Sequence, residues 1–140
     1  MQMYFGELME KSGKKIEGIV PEFQCLMVQG GVNYEPYKAK LTESIGRHVD
    51  TIELFPASEG FFAFQDTQTE AGILLNSNSG IFFEFIPVSE MGKPNPVRLT
   101  LKDVKVGENY AIIISSNAGL WAYNIGDTVK FVWLTLTVWW

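Results

Sequence analysis

Between residues 23 and 55 the sequence runs apolar strand, glycine turn, amphipathic helix, apolar strand, and that order leaves few folds open to the chain. Phe23 to Gln29 is a short apolar run stopped by Gly30-Gly31, the pattern of a buried strand entering a tight turn. Pro36 suits the first turn of a helix, where its missing N–H has no partner to lose. Tyr37, Leu41 and Ile45 then recur every fourth residue to give one apolar face, and Gly46 closes the helix. Thr51 to Phe55 is a second strand. Two strands joined through a helix pack as a right-handed βαβ crossover onto a parallel sheet. Upstream, Tyr4, Leu8 and Lys11 fall at helical spacing before Gly13, which predicts a helix over Met1–Lys11.

After Gly60 the texture changes to strands and turns. Phe61–Gln65, Gly72–Leu75, Gly80–Pro87, the strongly apolar Tyr110–Ser115, Leu120–Tyr123 and Thr128–Val138 are expected strands. Asn76-Ser77-Asn78-Ser79-Gly80 is a turn cluster expected to join its two neighbours as a hairpin. Gly92 to Pro96 is a loop, and Leu99–Val104 is a short extended segment or a turn of helix. The fold class that follows is α/β to α+β: a βαβ segment over 1–60, then a β-rich, barrel-like half over 61–140, and 140 residues are enough for one ordinary domain. The uncharged stretch from Phe131 to Trp140 has high β-propensity and a large apolar surface, so it is expected to pair with another edge or with a second copy.

Composition narrows the function. With 46% hydrophobic and 19% charged residues the chain can build a core, which argues against disorder. Eleven basic against 16 acidic side chains give a net charge of -5, which disfavours nucleic acid as a partner. No apolar run reaches the ~20 residues that span a bilayer, and Met1 to Glu7 lacks a basic secretory n-region, so a soluble cytoplasmic protein is expected. The single cysteine, Cys25, lies in an apolar run and is expected to be a buried structural thiol. One His and one Cys supply neither a zinc set nor a Cys/His nucleophile pair, and His48 is expected at the surface or at a cap. Gly13-Lys14-Lys15 lacks the upstream glycine and the Ser/Thr of a phosphate-binding P-loop, and Gly30-Gly31 does not extend to a dinucleotide fingerprint.

Two segments remain that can carry chemistry. Phe55-Pro56-Ala57-Ser58-Glu59-Gly60 follows the predicted parallel strand, and ligands of open α/β sheets gather at carboxyl ends of strands. Ser58 can donate to a phosphate, Glu59 can hold a hard cation such as Mg²⁺, and Phe55 offers a flat face to a base. The competing explanation is a polar turn in which Ser58 or Glu59 caps the next segment, and spacing alone favours that turn. In the second segment, Gly119 to Thr128, Gly126-Asp127 has the composition of a β-turn between two strands, while its carboxylate can also accept bonds from a ribose diol.

Taken together and in order, Gln29 to Tyr37, Ala57 to Ala63, Gly80 to Pro87 and Ala118 to Phe131 resemble the Gretchen Hagen (auxin-responsive promoter) family of acyl-acid amido synthetases, nearer to its bacterial members than to its plant ones. The resemblance covers nearly the whole chain up to Val132. It implies a fragment of the large N-terminal domain of a firefly-luciferase-like adenylate-forming enzyme. Such enzymes activate a carboxylic acid with ATP to an acyl-adenylate, then pass the acyl group to an amine or amino acid. The resemblance implies that Phe55 packs on adenine, Ser58 lies near the phosphate and Glu59 is associated with Mg²⁺. It further implies that Gly30, Gly31 and Val32 line the adenine and acyl pocket, that Asp127 holds the ribose hydroxyls of ATP or AMP, and that Tyr123 supports the turn.

The departures from the family pattern shape the expectation. The family's Ser/Thr/Gly-rich phosphate loop and its mobile C-terminal domain have no counterpart in these residues. Ala122 stands where the family often has Arg, and Asn124 where it has a basic or bulkier residue. Trp133 to Trp140 replaces a Pro-Tyr-Arg-like continuation, as a truncated or frameshifted end would. The expected function is therefore a partial ATP-dependent acyl-acid amido synthetase, inactive alone. The alternative is a non-catalytic nucleotide- or protein-binding module that keeps the fold.

Overall fold

The computed structural model of the protein describes residues 2–29, 35–70 and 72–134. Helix α1 (Gln2–Ser12) and a 3-10 turn (Ile16–Gly18) precede strand β1 (Cys25–Gln29), helix α2 (Glu35–Ile45) and strands β2 (Asp50–Ala57), β3 (Gly60–Phe64) and β4 (Leu74–Leu75). Strands β5 (Ile81–Pro87), β6 (Asn109–Ser116) and β7 (Tyr123–Lys130) complete the chain's regular structure. The first four strands form one sheet in the order β1-β2-β3-β4, and the last three form another in the order β5-β6-β7. The fold is α/β to α+β, as expected, and β1 and β2 pair in parallel with Cys25 opposite Asp50 across the connection through α2. By contact density the chain divides into two compact units, 1–56 with 63–74, and 57–62 with 75–140.

The first unit has its own core. Phe5, Ile16, Leu26, Leu41, Ile45 and Val49 are buried together, with Met9, Ile19 and Phe23 packed against them. The Phe5 and Phe23 rings meet edge to face at 6.1 Å. The predicted helix 1–11 is present, but its inward face is Phe5 and Met9; Tyr4 and Leu8 are 64% and 43% exposed. Both stripes satisfy the i, i+4 rule, and the larger ring of Phe5 meeting Phe23 decides which one turns inward. In α2, Leu41 and Ile45 are buried as expected but Tyr37, the third member of the predicted face, is 55% exposed, and Gly46 ends the helix at φ +100°. Cys25 is exposed, contrary to expectation. Side chains alternate along a strand, and with Leu26 turned into the core the thiol points away from it on an edge strand. Gln65 prolongs the ladder: its N–H donates to the Glu53 carbonyl at 2.7 Å and its Oε1 accepts from the Glu53 N–H at 3.1 Å.

The second unit is organised around β6, whose residues Tyr110 to Ile114 are all buried. A strand buried on both faces carries an unbroken apolar run, here Tyr-Ala-Ile-Ile-Ile. Antiparallel pairing sets Phe83 opposite Ile114, Phe85 opposite Ile112 and Ile86 opposite Ala111. One face is aromatic: Phe62, Phe83, Phe85, Tyr110 and Phe131 form a chain of ring contacts at 5.1–6.5 Å, mostly edge to face. Ile86, Ala111 and Ile113 cluster on the other. The turn cluster 76–80 does not make the expected hairpin. Strand β4 belongs to the first sheet and β5 to the second, and the Asn76 N–H donates to the Phe62 carbonyl at 2.8 Å. Two residues of β4 are too short a strand to template a hairpin, so the turn hands the chain from one sheet to the other.

The Tyr110 hydroxyl is the polar anchor of this core. It accepts the Lys105 N–H at 2.8 Å and donates to Glu108 Oε2 at 3.0 Å. Burial pushes the hydroxyl above its ordinary pKa; the Lys105 amide pulls it down and the Glu108 carboxylate pushes it further up. An unfolded tyrosine ionises near pH ~10, so the stabilisation is complete below that pH and is lost as pH climbs through the higher folded value. Tyr110→Phe is expected to cost about 1–1.5 kcal/mol at pH 7, since the ring stays packed and only the two hydrogen bonds go. Urea unfolding between pH 7 and 11 checks this, and the gap between wild type and variant should narrow at the alkaline end.

Candidate functional site

Strand β2 continues through Phe55, Pro56 and Ala57, two residues beyond its predicted end, and β3 begins at Gly60. Only Ser58 and Glu59 lie between them, and a two-residue connection fits an antiparallel hairpin. Ser58 is exposed at the tip and Glu59 is half-buried. Gly60 lets this turn lie close to β5, because a Cβ there would meet Ile81 Cδ1 at 2.7 Å and Phe62 at 3.0 Å. Phe62 is fully buried and its ring meets Phe83 at 6.1 Å, which sets Phe62 in the aromatic face of the second unit.

The segment carrying Asp127 is not the β-turn that its composition predicted. Tyr123 to Lys130 is one strand, and Leu120–Ala122 is the loop before it. Phe131–Leu134 lies outside any strand, and the rest of the predicted 128–138 strand lies outside the described residues. Ala111 pairs with Thr128 and Ile113 with Asn124, so Ile125, Gly126 and Asp127 stand against Ile112 alone. This is a β-bulge, and Gly126 sits in it at φ +87°. The Asn124 side chain closes it locally, its Oδ1 accepting the Gly126 N–H at 2.9 Å. Asp127 is exposed at the end of the bulge.

The loop ahead of the strand is similarly held. Ser116 N–H donates to the Leu120 carbonyl at 2.9 Å, and Ala122 N–H donates to Ser115 Oγ at 2.9 Å. Ala122 adopts φ +48°, a conformation that L-residues enter at a cost. The loop delivers Tyr123 into β7 opposite Ile114. Directly opposite residues share a face of a sheet, so Tyr123 stands on the face of Phe83, and its hydroxyl lies 3.5 Å from Glu59 Oε1. The structure thus brings Glu59 against Tyr123, on the same strand as Asp127. No local sequence signal pointed to that pairing across 64 positions.

Phe55 is half-buried in β2 and belongs to the first unit, and Gly30, Gly31 and Val32 lie outside the described residues. The His48 side chain is 78% exposed, with Nδ1 4.0 Å from the Asp50 carboxylate. Among the described residues no three His, Cys, Asp or Glu side chains gather to hold a metal ion. Among them, too, no helix is long and apolar enough to cross a membrane.

Known proteins match this architecture. The GH3 family central domain matches residues 74–137, which takes in β5, β6 and the bulged β7 with Tyr123 and Asp127. A jasmonoyl-L-amino acid synthetase, JAR4, of Nicotiana attenuata is 44% identical over 50 residues, covering 35% of this chain and 9% of the relative. An indole-3-acetic acid-amido synthetase, GH3.8, of Oryza sativa subsp. indica is 27% identical over 108 residues, covering 64% of this chain and 18% of the relative. The chain is thus similar to the GH3 family. A solved structure of the AtGH3.15 acyl acid amido synthetase in complex with 2,4-DB shares the fold at TM-score 0.60 and 20% identity, over 82% of this chain and 20% of that one. The chain therefore spans a fifth or less of the length of these GH3 relatives.

The two left-handed positions Ala122 and Gly126, one just before the strand of Asp127 and one within its bulge, make opposite demands. Around Gly126 a Cβ would meet nothing within 4 Å, so Gly126→Ala is expected to cost only the backbone strain, about 1–2 kcal/mol. At Ala122 the same strain is already present, and Ala122→Gly relieves it while losing about 0.5–1 kcal/mol in unfolded-chain entropy. Chemical denaturation should therefore show the first variant weaker than wild type and the second equal or stronger by roughly 0.5 kcal/mol.

Proposed function

We propose that this chain carries part of the nucleotide site of an ATP-dependent acyl-acid amido synthetase, which forms an acyl-adenylate and transfers the acyl group to an amine or amino acid. The observation that carries the reading is the approach of Glu59 to Tyr123, which links the hairpin turn to the strand of Asp127 within one compact unit. Similarity to the GH3 family supports the reaction class, since the relatives it matches are named as synthetases joining an acid to an amino acid or forming an amide.

In this proposal Asp127 accepts hydrogen bonds from the ribose diol, and its place in a bulge turns an exposed carboxylate out of the ladder toward a ligand. Ser58, exposed at the hairpin tip, donates to phosphate oxygen. Glu59 is the carboxylate for Mg²⁺. One carboxylate without an acidic cluster fits this ion, which is held mainly by phosphate oxygens and water rather than by an all-protein cage. When bound, the ion neutralises charge on the phosphates. The same proposal assigns Phe55 to the adenine face, and Gly30, Gly31 and Val32 to the pocket turn, on the resemblance alone. A cytoplasmic setting belongs with it.

The chain alone is proposed not to turn over, because the phosphate loop and basic C-terminal domain that the resemblance implies have no counterpart in these 140 residues. Calorimetric titration with AMP, and with ATP plus Mg²⁺, is expected to show binding that Asp127→Ala removes, while pyrophosphate exchange with a panel of carboxylic acids stays at background. Robust exchange would overturn the inactive reading. A folded chain that binds no nucleotide would favour a non-catalytic interaction module.

Self-association through the apolar stretch from Phe131 onward forms a separate part of the proposal. Phe131 itself packs on Phe85 and Tyr110, whereas Val132, Trp133 and Leu134 are exposed. Sedimentation velocity should show concentration-dependent dimers that Trp133→Lys with Leu134→Lys disperses, and a monomer at all concentrations would refute this.

A further inference from the structure

From the geometry around Glu59 we propose that Tyr123 is a positioning residue for this carboxylate: its hydroxyl engages Oε1 and so presents the other oxygen to a nucleotide-bound divalent cation. The inference rests on the nucleotide reading of Glu59 given above and assigns Tyr123 a role in metal-dependent rather than metal-independent binding. Three observations support it. The Tyr123 hydroxyl faces Glu59 Oε1 at 3.5 Å, longer than an ordinary O–H···O bond of about 2.5–3.0 Å, and a phenol donates to a carboxylate once the two close on each other. Among the described residues no other group bonds Glu59, so this contact is what restrains the side chain at the end of a two-residue turn.

The third observation is that both partners are held from below. Tyr123 is set by its register against Ile114 and by the Ala122 N–H bonded to Ser115 Oγ just before it. Glu59 is set by Gly60 pressing toward Ile81 and by Phe62 against Phe83. Ile114 and Phe83 are themselves paired across β5 and β6. The contact is thus the upper end of a packed column, and it does not depend on two loose surface side chains finding each other. A carboxylate free to rotate would lose side-chain entropy on meeting the cation; one already restrained loses less, which is how a positioning residue raises affinity without touching the ligand.

The test uses the whole chain, with Tyr123→Phe, Glu59→Gln and the double variant. Two probes are titrated by calorimetry, AMP without metal and ATP with Mg²⁺. Tyr123→Phe keeps the ring and removes only the hydroxyl. It is expected to weaken ATP with Mg²⁺ by about three- to tenfold and to leave metal-free AMP within about twofold of wild type. Glu59→Gln should weaken the Mg²⁺-dependent binding at least as much, and the double variant should be no weaker than Glu59→Gln alone.

An equal loss of both probes in Tyr123→Phe would mean that the hydroxyl merely supports the strand, and would overturn the inference. So would an unchanged Mg²⁺ dependence in Tyr123→Phe beside a clear loss in Glu59→Gln, and that result would leave the nucleotide reading standing. A folded wild-type chain that binds neither probe removes the nucleotide reading and this inference together.

Discussion

Burial of β6 on both faces is the constraint around which the second unit is built. A strand from Tyr110 to Ile114 with no solvent-facing residue needs a neighbour on each edge and a cover on each face. Strands β5 and β7 supply the edges. The aromatic rings of Phe62, Phe83, Phe85 and Phe131 cover one face and the Ile86 cluster forms on the other. Ring pairs at these separations add about 0.5–1.5 kcal/mol each beyond the area they bury, so the aromatic face also fixes where its members stand. Phe62 enters that face from the hairpin that ends in Glu59, and Tyr123 joins it through Ile114. The candidate site therefore derives its geometry from the core beneath it.

Much of the fold was legible because it is written in periodicity and punctuation. The run Phe23–Gln29, the Leu41 and Ile45 face and the strand after Gly46 gave the βαβ unit, and Tyr-Ala-Ile-Ile-Ile gave the central strand of the second sheet. The misplaced features share a cause. Tyr4/Leu8 and Phe5/Met9 are equivalent stripes until Phe23 is in place. The cluster Asn76–Gly80 announces a change of direction without naming the strands it separates. Gly126-Asp127 has one composition whether it closes a turn or bulges within a strand, and only the register against Ala111 and Ile113 distinguishes the two. Cys25 followed its apolar neighbours in the sequence but not the alternation that turns it outward.

For the candidate site, the sequence supplied residue types and their order, while their mutual distances had to come from the structure. Glu59 and Tyr123 are 64 positions apart, and nothing near either residue announces the other. Tyr123 drew notice only as a support for the turn beside Asp127; its approach to Glu59 depends on two sheet strands and a hairpin acting together. The likeness to the GH3 family central domain fits that picture, because the matched residues contain β5 to β7, the strands that set Tyr123 and Asp127.

The bulge in β7 also bears on how this strand can change length. Ile125, Gly126 and Asp127 occupy the place of one residue, so the strand holds two more than a straight ladder would. Two is an even number, and residues before and after the bulge keep their faces, with Asn124 and Thr128 on the side of Ile113 and Ala111. Losing or gaining a single residue here would turn one half of the strand over, exchanging inward and outward side chains from that point on. Removing a pair would leave the alternation intact and straighten the strand. Insertions and deletions in descendants of this gene should therefore be tolerated in this stretch by twos, a parity rule imposed by the sheet and independent of any ligand.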